Sequence, residues 1–431
     1  MSEEIKEKET PNKTVNHIYE QFIQNIESVE AFYNTFAIKA LEHDKFILES
    51  RKNHLESVIL KTFGEKGLDD FIKEIEKEDI EDKTSMKEIE SKDDTSDEIP
   101  EEKLDDLIYE MSKTPKLHEK NFEILSNGTF LILNNHFEYL FADLLTFHFT
   151  SNKAVLEEKN ISISLNELKN YSSVEEAYND ILFKEVEKIL LDLSFDEIKN
   201  YFKKLDVSLS EELINWELIN EVRERRHLIV HNNSIVNKKY INRTNNLFNH
   251  ALGSQLKIET KYLRKAISEI KLAGIVLTMN CWGKWDKDNI TNAIGELMDL
   301  TFELLKSNQN ELVLKVCEYI NKNIKPRNDN EESYILRAKV NDCIALKRLK
   351  KNDDLAKKLK VFRTSSLSPI FKIAKHLLKN EHEQTIPLIK QAIIVDDLIL
   401  DDFLEWPLFE DLRKDEKFKV EAEEEFKKNL L

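Results

Sequence analysis

Apolar residues recur three and four positions apart along most of the chain, with polar and charged residues between them. This spacing places the apolar side chains on one face of an α-helix. This spacing of apolar residues continues from Val15 to Phe63 and resumes at about Leu117. The pattern predicts an all-α protein, in which residues 1–63 form an amphipathic helical hairpin or, as the alternative, a single long helix.

Residues 118–285 carry the pattern of a four-helix bundle. The first helix is strongly apolar from Phe122 to Phe147, so we expect it to be a core element. Ser172-Ser173-Val174-Glu175 predicts a capping box at the start of the second helix. Asn232-Asn233-Ser234 predicts the end of the third, because these residues tolerate left-handed backbone. The four helices are expected at about 117–147, 174–190, 213–230 and 262–282, with a short helix at 195–205.

Residues 286–431 are predicted to be helical to the end. The helical segments are predicted to form antiparallel helix pairs. The two pairs lie about 35 residues apart, a spacing loosely typical of a tetratricopeptide-like solenoid. Trp406, in Phe403–Phe409, resembles the anchor of a closing cap. The alternative is a plain helical extension that packs on the bundle. The segments are Tyr334–Val340, Ala345–Leu346, Phe371–Leu378 and Ile386–Ile393.

Residues 64–117 differ from the rest in charge. Glu74–Asp106 holds 16 acidic residues against 5 lysines, a net charge of −11. Such a segment buries too little apolar surface to offset the entropy of ordering it. We therefore expect a disordered or loosely helical acidic linker, with a nucleic-acid-mimicking tail as the alternative.

The composition excludes several function classes. Only seven glycines and seven prolines occur in 431 residues, and none of the glycine-rich phosphate-binding or nucleophile-elbow motifs is present. The three cysteines are far apart, which favours neither a zinc site nor disulfides. The chain starts without the apolar core of a signal peptide and has no apolar run long enough to span a bilayer. We expect a cytoplasmic protein without a membrane segment, a metal or a cofactor.

The segment from Arg223 to Asn232, RERRHLIVHN, is the best candidate for chemistry. Cleaving RNA without a metal needs a group that takes the proton of the 2′-hydroxyl, a donor for the 5′-oxygen and a cation for the phosphorus. Histidine suits the proton transfers, and the planar fork of arginine suits phosphate. We predict His231 as acid or base, Arg226 as the transition-state clamp, and His227 as a second proton carrier or substrate orienter. The alternatives are a zinc-binding histidine pair and a solvated helix end.

The same region concentrates positive charge. Between Val222 and Lys265 there are ten lysines and arginines against two glutamates, a local charge of +8 in a chain of −18. Phosphate-binding surfaces have this character, and Tyr240 and Tyr262 offer rings that stack on bases. The alternative is a helix face balanced by acids from elsewhere in the fold. The predicted RNA-binding residues are Arg223, Arg225, Asn232, Lys238, Lys239, Tyr240 and Arg243.

The segment resembles the R-x(4–6)-H motif of the HEPN superfamily, four-helix domains of which many are metal-independent ribonucleases. Arg226 and His231 match the Arg and His of that motif, and His227 matches the polar residue that commonly follows the Arg. The position after three helices and the stretch from Asn232 to Tyr240 strengthen the resemblance, which covers residues 118–285. It implies RNA cleavage to a 2′,3′-cyclic phosphate and a 5′-hydroxyl, often in toxin–antitoxin or anti-phage defence.

The position of the two motif residues on a helix bears on assembly. At 100° per residue, Arg226 and His231 lie about 140° apart around an ideal helix. Either the helix breaks before His231 or two copies combine their residues, and the resemblance implies a homodimer with a composite groove. Two rival functions remain: a silent HEPN module for dimerisation or RNA binding, and a helical-repeat adaptor whose C-terminal helices bind a partner protein.

Overall fold

The structure is a computed structural model that describes residues 13–81, 120–157 and 162–429, with backbone alone at residues 63, 66–81, 156, 157 and 429. Within these ranges all regular elements are helices, and the only β-type pairing is an isolated bridge between Ile235 and Gln255. The all-α prediction is therefore confirmed for the described part of the chain. None of its helices is long and apolar enough to cross a membrane.

The first helix, α1, spans Val15–Glu81 and is interrupted by Gly64 alone (φ 73°, ψ −174°). No glycine or proline occurs between Val15 and Phe63, so nothing in the sequence turns the chain there. The predicted hairpin is wrong, and the single-helix alternative is correct. The predicted linker is helical up to Glu81, and residues 82–117 lie outside the described residues.

The four helices predicted in residues 118–285 are present with bounds within a few residues of those expected. The second helix is capped one residue later than the predicted box of Ser172 and Glu175, because the Ser173 side chain accepts from the Glu176 amide (3.0 Å). Ser194 and Glu197 form a reciprocal capping box. The helices are α2 Asn121–Ser151, α3 Lys153–Glu157, α4 Leu165–Leu168, α5 Val174–Asp192, α6 Phe195–Lys204, α7 Trp216–His231, α8 Lys238–Arg243 and α9 Thr260–Trp285.

The C-terminal region is helical as predicted. The first predicted pair of helices is wrong, because the segments at Tyr334 and Ala345 lie in one continuous helix, α12. Trp406 is buried, and its Nε1 donates to Oδ1 of Asn341 (2.8 Å), as expected of an anchor. The solenoid arrangement itself stays a prediction. The helices are α10 Ile290–Lys306, α11 Asn310–Asn323, α12 Asp329–Arg348, α13 Asn352–Val361, α14 Pro369–Leu378, α15 Ile386–Ile394, α16 Leu400–Glu405, α17 Glu410–Lys414 and α18 Glu416–Asn429.

The chain divides into two compact units. The first comprises the described parts of Met1–Ser28, Ile132–Leu256 and Lys261–Leu431. Its centre is α9, where Gly274 faces the Phe22 ring so closely that any side chain at this position would overlap the ring. The boundary predicted between residues 285 and 286 falls inside this unit.

The second unit comprises the described parts of Val29–Leu131 and Lys257–Thr260. Here Asp44 of α1 caps the N-terminus of α2, because its carboxylate accepts from the amides of Asn121 (3.0 Å) and Phe122 (2.9 Å). The Tyr33 hydroxyl lies 3.0 Å from the Thr260 hydroxyl. The Asp44 contacts fix the start of α2 against α1, and the Tyr33 contact joins α1 to Thr260, the first residue of α9.

Candidate nucleic-acid-binding cleft

The motif residues lie on α7, which is flanked by an asparagine at each end. The Asn215 side chain accepts from the Leu218 amide (2.9 Å), and Asn232 follows the last helical residue, His231. Asn233 and Ser234 then adopt positive φ angles of 48° and 61°, as the sequence predicted. The helix is continuous through His231, so the alternative of a break before this residue is excluded.

A cleft of about 740 Å³ in the first unit is lined by side chains of α2, α5, α6, α7, α8 and α9. Five of the predicted residues line it: Arg223, Arg226 and His227 from α7, and Lys239 and Arg243 from α8. Their amino groups, guanidinium groups and imidazole share one concave surface. The structure thus brings together much of the predicted basic site within one chain.

Arg226 differs from the other two arginines of the cleft, Arg223 and Arg243, because no described residue forms an ion pair or hydrogen bond with it. Its Nε is buried and without a partner among the described residues. By contrast, Arg243 Nη1 lies 2.9 Å from Glu224 Oε1, and Arg223 Nε lies 3.7 Å from Glu138 Oε1. The Arg226 guanidinium therefore keeps its hydrogen-bonding capacity for a ligand.

His227 and His231 lie one helical turn apart, and their ring centroids are separated by 4.7 Å. Partial burial lowers the pKa of His227 below its usual value, and the positive charge of Lys239 lowers it further. His227 is thus neutral at neutral pH and can accept a proton. His231 is exposed and is not among the residues that line the cleft.

Arg225 and Tyr240 are not surface residues, and their predicted role in binding RNA is wrong. Their side chains are only 3% and 2% exposed. Arg225 Nε donates to Oε1 of the fully buried Glu221 (2.7 Å), and the hydroxyls of Tyr240 and Tyr262 donate to the same carboxylate (2.5 Å each). The Arg225 guanidinium also stacks on Tyr262, 3.8 Å from the ring centroid.

We call Glu221, Arg225, Tyr240 and Tyr262 the buried network. It exists because a buried arginine and a buried glutamate are tolerable only when each satisfies the other. The sequence holds a signal for it. Arg225 lies three residues after Val222 and three before Leu228, both of which are buried, so it shares their helical row.

The remaining predicted RNA-binding residues, Asn232 and Lys238, do not line the cleft. The Asn232 side-chain amide donates to the Ile235 carbonyl (2.6 Å) and closes the turn after α7. Lys238 is exposed but does not line the cleft. The alternative that acids from elsewhere in the fold balance the basic segment is supported for Arg223, which faces Glu138 of α2. Arg225 and Arg243 pair with glutamates of α7 itself, Glu221 and Glu224.

Sequence reasoning missed the aromatic residues of the cleft. Tyr139 on α2 and Phe183 on α5 line it with side chains 60% and 65% exposed. Both lie in helices in which many of the other apolar residues fill the core, so the periodic pattern concealed them. A signal exists in Phe183, which falls outside the row formed by the buried Leu182, Val186 and Ile189.

The arrangement can bind a phosphodiester and transfer protons beside it. Within residues 13–81, 120–157 and 162–429, no group of three or more His, Cys, Asp or Glu side chains is placed to hold a metal ion. The zinc alternative for His227 and His231 thus finds no third ligand there. Comparisons of the chain with models of protein families, with curated proteins and with solved structures give no match.

Proposed function

We propose that the protein is a metal-independent endoribonuclease of the HEPN kind. The observation that carries the proposal is the shared cleft: an arginine without a partner among the described residues, Arg226, lies beside a histidine that stays neutral at neutral pH, His227. Lys239 and Arg243 line the same surface. Cations and a proton acceptor in one concavity are what phosphodiester cleavage by a 2′-hydroxyl requires.

The reaction follows from the roles of these groups. Nε2 or Nδ1 of neutral His227 takes the proton of the 2′-hydroxyl, and the 2′-oxygen forms a bond to phosphorus. The bond from phosphorus to the 5′-oxygen then breaks, and His231 gives that oxygen a proton. Arg226 stabilises the charge on the phosphoryl oxygens with its planar fork. The products are a 2′,3′-cyclic phosphate and a 5′-hydroxyl.

The proposal includes a homodimer. Because α7 is continuous, Arg226 and His231 project about 140° apart from one helix. A second copy that faces the first across its two-fold axis would place its own His231 at the open side of the cleft. We therefore take Arg226 and His227 from one copy and the leaving-group proton from His231 of the other, as the resemblance to HEPN domains implies.

Cleavage of unstructured RNA by the purified protein in EDTA tests the proposal. Arg226→Ala is expected to lower kcat by about 10²–10³, and His227→Ala and His231→Ala by about 10²–10⁴ each. Lys265→Ala is the matched control, because Lys265 is an exposed cation of the basic segment that does not line the cleft. Equal RNA decay with the wild type and all three cleft variants would contradict a catalytic site here.

A further inference from the structure

Two exposed aromatic rings share the cleft with the cations. Tyr139 and Phe183 come from α2 and α5, whereas Arg226, His227 and Lys239 come from α7 and α8. Large rings that stay exposed inside a concavity mark a binding surface more often than a structural one. The rings of His136 and Tyr139 pack edge to face, with their centroids 6.2 Å apart.

The two sides of the cleft differ in charge. All charged residues that line it from α2 and α5 are acidic: Glu138, Glu187 and Asp192. The charged lining of α7 and α8 consists of four cations and one carboxylate, that of Glu224. The carboxylates of α2 and α5 repel phosphate, so the backbone of a bound strand is drawn to the cations of α7 and α8. What remains for α2 and α5 is the uncharged part of a nucleotide, its base.

We infer that Tyr139 and Phe183 form a subsite that stacks on an unpaired base next to the phosphate held at Arg226; this rests on the proposed function. Phe183 has no hydrogen-bonding group, so its contribution is stacking alone, which every base accepts. In a duplex the base faces are covered by neighbouring pairs. The subsite therefore takes a single-stranded segment of RNA and recognises it by the exposed face of a base.

Binding of two uncleavable strands tests the subsite. One is a 2′-O-methyl oligoadenylate, whose blocked 2′-oxygen cannot attack phosphorus; the other is an abasic strand of the same length and charge. The wild-type protein is expected to bind the oligoadenylate about tenfold tighter or more. Tyr139→Ala and Phe183→Ala should each remove most of this preference and leave the affinity for the abasic strand unchanged.

The matched controls keep a ring or remove a charge. Tyr139→Phe and Phe183→Tyr should retain the preference for the oligoadenylate. Lys239→Ala should lower the affinity for both strands by the same factor. The subsite is overturned if the wild type binds the two strands equally or binds neither, or if the alanine variants keep the preference. It is also overturned if light scattering shows that these variants change self-association instead, because the rings would then belong to an interface between copies.

The outcome separates the subsite from the ribonuclease activity. A preference for bases in a protein that cleaves no RNA would support the subsite and contradict the activity. Cleavage by a protein without that preference would support the activity and overturn the subsite.

Discussion

At the scale of residues, neighbouring side chains of one type have opposite roles. Arg225 is buried against Glu221, whereas Arg226 lines the cleft without a partner among the described residues. The motif alone identified Arg226, His227 and His231 as a group. The motif did not show that the neighbouring Arg225 is buried, because burial depends on which row of helical positions faces the core.

The pKa of His227 gives a prediction at this scale. Burial and then Lys239 lower this pKa, so the acid limb of kcat/KM should lie below the ordinary histidine value of about 6.5. A nearby cation disfavours the protonated imidazole. Lys239→Ala removes that cation, raises the pKa of His227 and should move the acid limb to higher pH.

The pH profile of kcat/KM measures this shift. Lys238→Ala is the matched control: it removes a neighbouring exposed lysine that neither lines the cleft nor contributes to the lowered pKa of His227. An acid limb that moves to lower pH in Lys239→Ala, or moves equally in both variants, would contradict the role given to His227.

At the scale of elements, the sequence predicted the helices better than their connections. The four helices of residues 118–285 follow from apolar periodicity and capping residues, because both signals are local. Whether α1 turned back on itself depended on the absence of glycine and proline, which leaves no site for a turn before Gly64. The buried network was not predicted, since it joins side chains of three helices, α7, α8 and α9, that the chain brings together only on folding.

The buried network makes a prediction about stability. Glu221→Gln leaves the Arg225 guanidinium buried without a compensating charge and weakens the acceptor of two tyrosine hydroxyls. We expect it to lower the free energy of unfolding by about 3–5 kcal/mol, measured by urea denaturation. Glu217→Gln, an exposed change on the same helix, should stay within about 0.5 kcal/mol of wild type. Similar unfolding midpoints for both variants would show that the network contributes little.

At the scale of the whole molecule, net charge describes this protein poorly. The total of −18 includes −11 from Glu74–Asp106 and +8 from the segment between Val222 and Lys265, so the rest of the chain contributes −15. Two of the cations that line the cleft already face a carboxylate: Arg243 lies 2.9 Å from Glu224, and Arg223 lies 3.7 Å from Glu138. A strand bound in the cleft as proposed would therefore meet a local balance of charges that the overall value does not reveal.

The proposed composite site predicts complementation between inactive chains. A heterodimer of Arg226→Ala and His231→Ala chains has one site with Arg226 of one copy and His231 of the other intact. Co-expression of the two variants should recover part of the activity, in a species of twice the 50.8 kDa chain mass. Pairing Arg226→Ala with the double variant should recover none. If the heterodimer of Arg226→Ala and His231→Ala chains forms but recovers no activity, the catalytic residues act within one chain.

The buried network also constrains how the sequence can change over time. Glu221 has three donors on its carboxylate, from Arg225, Tyr240 and Tyr262. Substitution of any one of the four residues leaves the others with an uncompensated charge or an unsatisfied hydrogen-bonding group. A single substitution therefore lowers stability, and compensating substitutions must occur together. Among related chains these four positions should vary as a set, whereas Lys239 and Arg243 can exchange lysine for arginine freely. If the cleft binds RNA as proposed, it can acquire new RNA preferences while the support behind α7 is inherited intact.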